Sequence, residues 1–261
     1  MQLPRIIQQR LDLLEQLVRT NFKLRYNDSF LGVVWVILKP LLSFLVLFFV
    51  FSNFKSDLFE DPSLFQVYLL TGIVLYGYLS ESLLNGMNSL LGLAHIILKV
   101  NFPKKTALIS NQVLSFINFL ITFAILLVVA IFSGIEFELV SASYMVLIVL
   151  TLTIMCYSIS LFLSIMTVRL RDLKNIMEIL LQLGFYLSPI FYPVSLVPEQ
   201  YLTIYNLNPV TIMIQAFRDA LILNQVNAIF EISMILAASI FATMIGNAYF
   251  KKHVRLVAEY Y

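Results

Sequence analysis

One cysteine, two histidines and few charges are all that this 261-residue chain offers to catalytic or metal chemistry. Cys156 has no second thiol to pair with, which excludes an internal disulfide and any cysteine-based metal site. It lies in an apolar run and reads as a small buried hydrophobe. His95 and His253 stand alone near the ends of apolar runs and read as solvated or packed side chains, since no second imidazole lies at metal-binding spacing. A phosphate-cradling glycine loop ending in Lys-Ser/Thr is missing, and so is a Gly-x-Ser-x-Gly elbow. The sequence therefore carries no ATP motif and no usual enzymatic constellation. Charged residues are 12% of the chain and the net charge is +2, so the basic footprint of a nucleic-acid binder is absent.

What is present in excess is apolar surface. Hydrophobic residues make up 60% of the chain and mean hydropathy is +0.90, against about 45–50% apolar residues in soluble domains. A bilayer core of about 30 Å needs roughly 20 mostly apolar helical residues. Six runs come near or exceed that length, at 30–52, 65–91, 106–132, 144–168, 176–192 and 228–250. The expected fold is all-α: one polytopic membrane domain over 1–261 with six transmembrane helices. Pro189 and Pro193 bracket the end of the fifth run, so that helix is expected to stop or bend there.

The first 24 residues do not read as a signal peptide, because charges and glutamines recur throughout them. Leu3, Ile7, Leu11, Leu14, Val18 and Phe22 fall at helical spacing with the charges largely elsewhere, the pattern of an amphipathic helix lying along a membrane surface. Basic residues gather before the first run, after the second, after the fourth and in the tail. Of the 17 lysines and arginines, only Lys39, Lys55 and Arg218 fall outside those four places. Acids collect on the other side, at Asp57, Glu60, Asp61, Glu136, Glu138 and Glu199. Positive-inside sorting then places both termini in the cytoplasm.

Charges inside apolar runs are costly and become functional candidates by default. Lys39, beside the helix-bending Pro40, either faces a polar canal and meets an anionic headgroup or snorkels to the interface. Glu81, well inside the second run, either lines a route or bonds to a polar partner. Arg218 and Asp219 are expected to be surface charges on a short helix outside the hydrocarbon core. The stretch 188–225 is too apolar for an exposed loop and too interrupted for a crossing. Asn208 before Pro209 signals a helix start, and Val210, Ile214, Phe217 and Leu221 repeat at helical spacing. Two short helices dipping into the outer leaflet are expected, and shielded irregular backbone there suggests a gate.

Three stretches carry a resemblance: LRYNDSFLGVVWVILKP at 24–40, LLGLAHIILKVNFPKK at 90–105, and RDLKNIMEILLQLGFYLSPIFYP at 171–193 continuing into NPVTIMIQAFRDAL at 208–221. In order and spacing they are similar, over nearly the whole chain, to the permease subunit of type-2 ABC exporters that move lipid-linked O-antigen, capsule-like polysaccharide or teichoic acid. The closing VAEYY resembles that family's aromatic, small, acidic ending. The resemblance implies no enzyme activity in this chain, a homodimer, and two copies of a separate ATPase subunit that binds ATP and magnesium. It implies an undecaprenyl-linked polysaccharide as substrate and a bacterial inner membrane as location.

It also implies roles for particular residues. The loop 94–105, with Ala94, His95, Ile97, Lys99, Asn101, Phe102, Pro103, Lys104 and Lys105, resembles the coupling helix seated in the ATPase, and a plain basic turn on lipid headgroups is the other reading. The amino-terminal helix resembles the interface helix that also touches the ATPase. The stretch 188–223, including Pro189, Pro193, Asn208, Pro209, Phe217 and Arg218, resembles re-entrant periplasmic gate helices. Trp35, Lys39, Tyr76, Tyr78, Glu81, Tyr186, Phe191 and Tyr192 are candidates for a canal in which rings slide along sugar faces. Each aromatic among them, taken singly, reads first as core packing or interfacial belt. The alternative functions are a type-2 ABC permease for a small drug or lipid, and, further off, an ion-coupled carrier or membrane enzyme. The carrier class predicts internal repeats, and the two halves show no convincing self-similarity.

Overall fold

The computed structural model describes residues 5–26, 31–51, 62–92 and 103–254. All regular structure among them is helical: α1 (Arg5–Tyr26), α2 (Val34–Phe51), α3 (Pro62–Gly92), α4 (Lys105–Phe132), α5 (Leu139–Arg169), α6 (Leu173–Leu187), a 3-10 turn (Val194–Leu196), α7 (Glu199–Leu207), α8 (Pro209–Ile222) and α9 (Ile229–His253). Helix is what an apolar chain forms in lipid, because every backbone N–H and C=O is satisfied within the segment.

Five of these, α2, α3, α4, α5 and α9, are long and apolar enough to cross a membrane. The fifth expected crossing, 176–192, differs. Its helix, α6, has 15 residues, or about 22 Å of rise against a core of about 30 Å. Ser188, with φ −89° and ψ 148°, takes the chain out of helix just before Pro189. The residue preceding a proline is driven to extended backbone, so the proline stops the helix where the fifth run would have to continue.

The bundle is built around α3. Phe65, Leu69, Leu70, Leu75, Met87 and Leu90 are among its fully buried side chains, and α4, α5, α6, α8 and α2 all pack on it. Lower in the bundle a polar seam joins three helices. The Gln112 Nε2 of α4 donates to the Ser82 carbonyl of α3 at 3.0 Å and to Ser160 Oγ of α5 at 2.9 Å, and Ser82 Oγ bonds Gln112 Oε1. Gly86 makes the close approach possible, since a Cβ there would run into Ser160 and lie 2.7 Å from Gln112 Nε2.

The amino-terminal helix is amphipathic and packs along α4. Leu17 is buried against the start of α4, with Ala107 and Leu108 in the same cluster. Further along, Asn21 Nδ2 donates to Ser110 Oγ at 3.0 Å, and Tyr26 Oη accepts from Asn118 Nδ2 at 2.9 Å. As α1 advances its contacts climb α4 in the same direction, so its last turns rise beside the bundle. Polar bonds to α4 hold it there.

By contrast, α2 and α6 have no buried residue. Phe49 is 80% exposed and Leu187 62%. Among the described residues, each of these helices keeps part of its apolar surface exposed. After α6 the chain turns through buried Ser188, Pro189 and Ile190 into α7 and α8. Asn208 caps α8 by accepting from the Val210 N–H at 3.0 Å, with Pro209 at the first helical position, as the Asn-Pro pair predicted.

Candidate functional site: a groove between α2, α3, α4 and α6

A groove of about 890 Å³ runs between these helices. Its walls are polar or aromatic stripes at i, i+4, i+8 spacing on otherwise apolar helices: Trp35, Lys39 and Ser43 on α2, and Glu178, Gln182 and Tyr186 on α6. The α3 wall presents Gly77, Glu81 and Asn85, and α4 adds Asn118 and Thr122. A helix with one such stripe in an apolar setting turns it toward a cavity or a partner, because lipid offers it no hydrogen bonds.

Glu81 is the node of the α3 wall. Its Oε1 accepts from Arg25 Nη1 at 2.7 Å, Asn118 Nδ2 at 2.6 Å and Asn85 Nδ2 at 3.3 Å. Arg25 also donates to Asn85 Oδ1, and Asn85 Nδ2 reaches Ser115 Oγ at 2.7 Å. Among the described residues this is the one ion pair that joins two helices, the other two being i, i+4 pairs within α1 and α6. It lies on the groove wall with both side chains about a third exposed, at 30% and 34%. The network ties the last turn of α1 to the centre of α3.

Six of the eight canal candidates line this groove: Trp35, Lys39, Tyr76, Tyr78, Glu81 and Tyr186. Their exposures differ in a way that sorts them. Trp35 and Tyr186 present open rings, 37% and 54% exposed, whereas Tyr76 and Tyr78 are 5% and 3% exposed. The hydroxyl of Tyr76 donates to the Leu181 carbonyl at 2.7 Å, docking α6, and that of Tyr78 donates to Thr153 Oγ1 of α5 at 3.1 Å.

Phe191 and Tyr192 do not line the groove but adjoin it, the Phe191 ring lying 6.4 Å from those of Phe185 and Tyr186. Phe191 stacks on Phe51 with centroids 5.0 Å apart, and the Tyr192 hydroxyl bonds that of Tyr205 in α7. They belong to the cap formed by the turn after α6. Arg25, Asn85, Asn118, Glu178 and Gln182 were not anticipated as groove residues. The i, i+4 polar spacing of Glu81 with Asn85 and of Glu178 with Gln182 is the sequence signal that marks four positions of the groove, two on α3 and two on α6.

Of the coupling-loop candidates, Ala94, His95, Ile97, Lys99, Asn101 and Phe102 lie outside the described residues. Pro103, Lys104 and Lys105 lead into α4. Lys104 Nζ donates to the Val254 carbonyl at 3.3 Å, and Lys105 Nζ lies 5.8 Å from the Tyr157 ring centroid. With Lys251 they border a second cleft of about 440 Å³ between the start of α4 and the end of α9. The His253 ring lies tilted against that of Tyr249 with centroids 4.3 Å apart, and Cys156 is fully buried.

The gate candidates gather at the other end of α3. Pro189 and Pro193 flank the turn after α6, Asn208 and Pro209 start α8, and Phe217 is fully buried edge-on to Phe123 at 6.0 Å. Arg218 corrects an expectation, because it is 3% exposed and not a surface charge. Backbone carbonyls take its N–H groups, which is how a guanidinium is satisfied away from water. α8 is not a crossing helix, and burial pushes the Arg218 pKa down to about 10, leaving it cationic at neutral pH. Asp219 is half-buried and accepts from Asn227 Nδ2 at 3.0 Å.

Among the described residues no cluster of three metal-ligating side chains occurs. The groove can hold a polar chain loosely, with rings, carboxylates and carboxamides around it. The sequence is 28% identical to an O-antigen export system permease protein RfbA of Klebsiella pneumoniae over 92% of both chains. It is 30% identical to RfbA of Myxococcus xanthus over 72% of this chain and 71% of that one. Against the polysialic acid transport protein KpsM of Escherichia coli it is 22% identical over 91% and 92%. Residues 12–222 match the ABC-2 type transporter family, and the chain belongs to it.

Proposed function

We propose that this chain is the transmembrane half of an ATP-driven exporter that carries a lipid-linked polysaccharide of O-antigen or capsule type out across the bacterial inner membrane. The observation that carries this reading is the groove, whose polar stripes and open rings at Trp35 and Tyr186 suit a hydroxyl-rich chain. Sugars offer hydroxyls to carboxylates and carboxamides and apolar C–H faces to rings, and a cleft with several weak contacts lets them slide. The export names of the relatives support the same substrate class.

Energy would come from a second protein. A separate ATPase subunit would bind ATP and magnesium and press on the coupling loop and α1, and the lack of any ATP motif in this sequence fits that division. A homodimer would close the groove, because the unburied apolar faces of α2 and α6 flank its open side. In the membrane the basic ends, including Lys104, Lys105, Lys251 and Lys252, would face the cytoplasm, with both termini inside and α6 plus its turn as a sixth, shortened crossing.

Cells in which the gene is deleted are expected to accumulate undecaprenyl-linked glycan on the inner side of the membrane and to lose it from the surface. Normal surface glycan in the deletion would overturn the reading. A second expected result concerns the motor. Reversing charge at Lys104 and Lys105 together should reduce co-purification of the ATPase several-fold while membrane insertion persists, and undiminished co-purification would remove the loop from the interface.

A further inference from the structure

Arg218 carries its charge into the bundle, and among the described residues no carboxylate lies within ion-pair distance of it. The guanidinium bonds backbone from two separate segments. Its Nε donates to the Tyr68 carbonyl of α3 at 3.1 Å, Nη1 to the Pro189 carbonyl at 2.6 Å, and Nη2 to the Ile190 carbonyl at 2.8 Å. Its central carbon also lies 3.4 Å from the centroid of the Tyr68 ring. Charge-assisted bonds from one planar fork fix direction as well as distance.

Gly72 is shaped to this contact. A Cβ there would lie 2.7 Å from Arg218 Nη2 and 3.1 Å from the Ile190 Cα. Glycine inside a helix is destabilising relative to alanine, and here the passage of the guanidinium and of the turn accounts for it. On its other side the same turn meets α2 differently, through the stacked rings of Phe51 and Phe191. Stacked rings can part and re-form without leaving a polar group unsatisfied. The turn is thus bonded by charge to α3 and by ring contact to α2.

We propose that Arg218 is the positioning residue of the cap: it fixes the Pro189–Ile190 turn and α8 to α3 as one body, so that the outer end of the groove opens where Phe51 parts from Phe191. The clamp stands independently of the export reading, and only its meaning as a gate rests on that reading.

The test places cysteines at both rings, Phe51→Cys with Phe191→Cys, in membranes containing the full complex, and measures oxidative cross-linking. With Arg218 present the pair is expected to cross-link readily. Adding Arg218→Met, or Gly72→Ala, should lower the yield several-fold at unchanged membrane level and ATPase co-purification, and Arg218→Lys should fall between. Should Arg218→Met fail to accumulate, the milder Gly72→Ala and Arg218→Lys decide. Yields equal to the parent in those variants would overturn the clamp. The opening seam is read from export: the oxidised pair should stop ATP-dependent glycan transfer and reduction should restore it. Undiminished transfer by the oxidised protein would overturn the seam. Failure of the reduced protein to transfer glycan would count against the export reading, while the cross-linking yields still judge the clamp.

Discussion

Glu81→Ala is expected to lower glycan export at least tenfold and to loosen α1 from the bundle. The change deletes the acceptor shared by Arg25, Asn85 and Asn118, and it leaves the Arg25 guanidinium with Asn85 as a partner but without its counter-charge. Hydrogen bonds to charged groups contribute about 1.5–3 kcal/mol, each 1.4 kcal/mol being about a factor of ten in an equilibrium constant. The pair is a third exposed, so water from the groove compensates part of the loss and the lower end of that range applies to stability. Glu81→Gln keeps an acceptor and should lose less. The measurement is export by the complex together with protease sensitivity of α1. Wild-type export by Glu81→Ala would show that the node neither holds the groove wall nor touches the substrate.

The second large effect is expected in the seam below the groove. Gly86→Ala puts a methyl group into Ser160 and within 2.7 Å of Gln112 Nε2, at a point where three helices share buried hydrogen bonds. Overpacking of this kind costs about 1–3 kcal/mol, and the seam adds the loss of bonds that need the present spacing. Gly77→Ala is the matched control in the same helix. A Cβ there meets nothing within 4 Å, and relief of glycine's backbone freedom should be worth about 0.5–1 kcal/mol in the opposite direction. Thermal unfolding in detergent should therefore rank Gly77→Ala at or above wild type and Gly86→Ala well below it. Equal midpoints would mean that α3 and α5 are not packed as closely as described.

The helices were legible because hydropathy is a local property, and 106–132 or 228–250 needs no partner to be recognised. Proline chemistry was also local, which is why the end of α6 and the start of α8 fall where Pro189 and Asn208-Pro209 indicate. The fifth expected crossing, 176–192, was misjudged in length for a related reason: an apolar run counts residues, while Ser188 already leaves the helix. Long-range polar pairing was not legible. Arg25 and Glu81 lie 56 residues apart, and Arg25 read only as one of several cytoplasmic bases. Arg218 and Asp219 read as an exposed pair, because nothing local shows that carbonyls at positions 68, 189 and 190 converge on one of them. The aromatic canal candidates divided by geometry: Trp35 and Tyr186 open into the groove, while Phe191 and Tyr192 lie in the turn after α6, with Phe191 beside Phe185 and Tyr186.

Export by this chain is expected to use a polar route driven by ATP hydrolysed elsewhere. Purified permease and its ATPase in sealed proteoliposomes, loaded with undecaprenyl-linked glycan, would measure it directly by the access of an external glycosidase to the sugar. Glycan should move from the ATPase side to the opposite side when ATP and magnesium are supplied, and should stay in place when the ATPase is omitted or the permease carries Glu81→Ala. Movement that continues at the same rate without ATP or without the ATPase would contradict the account.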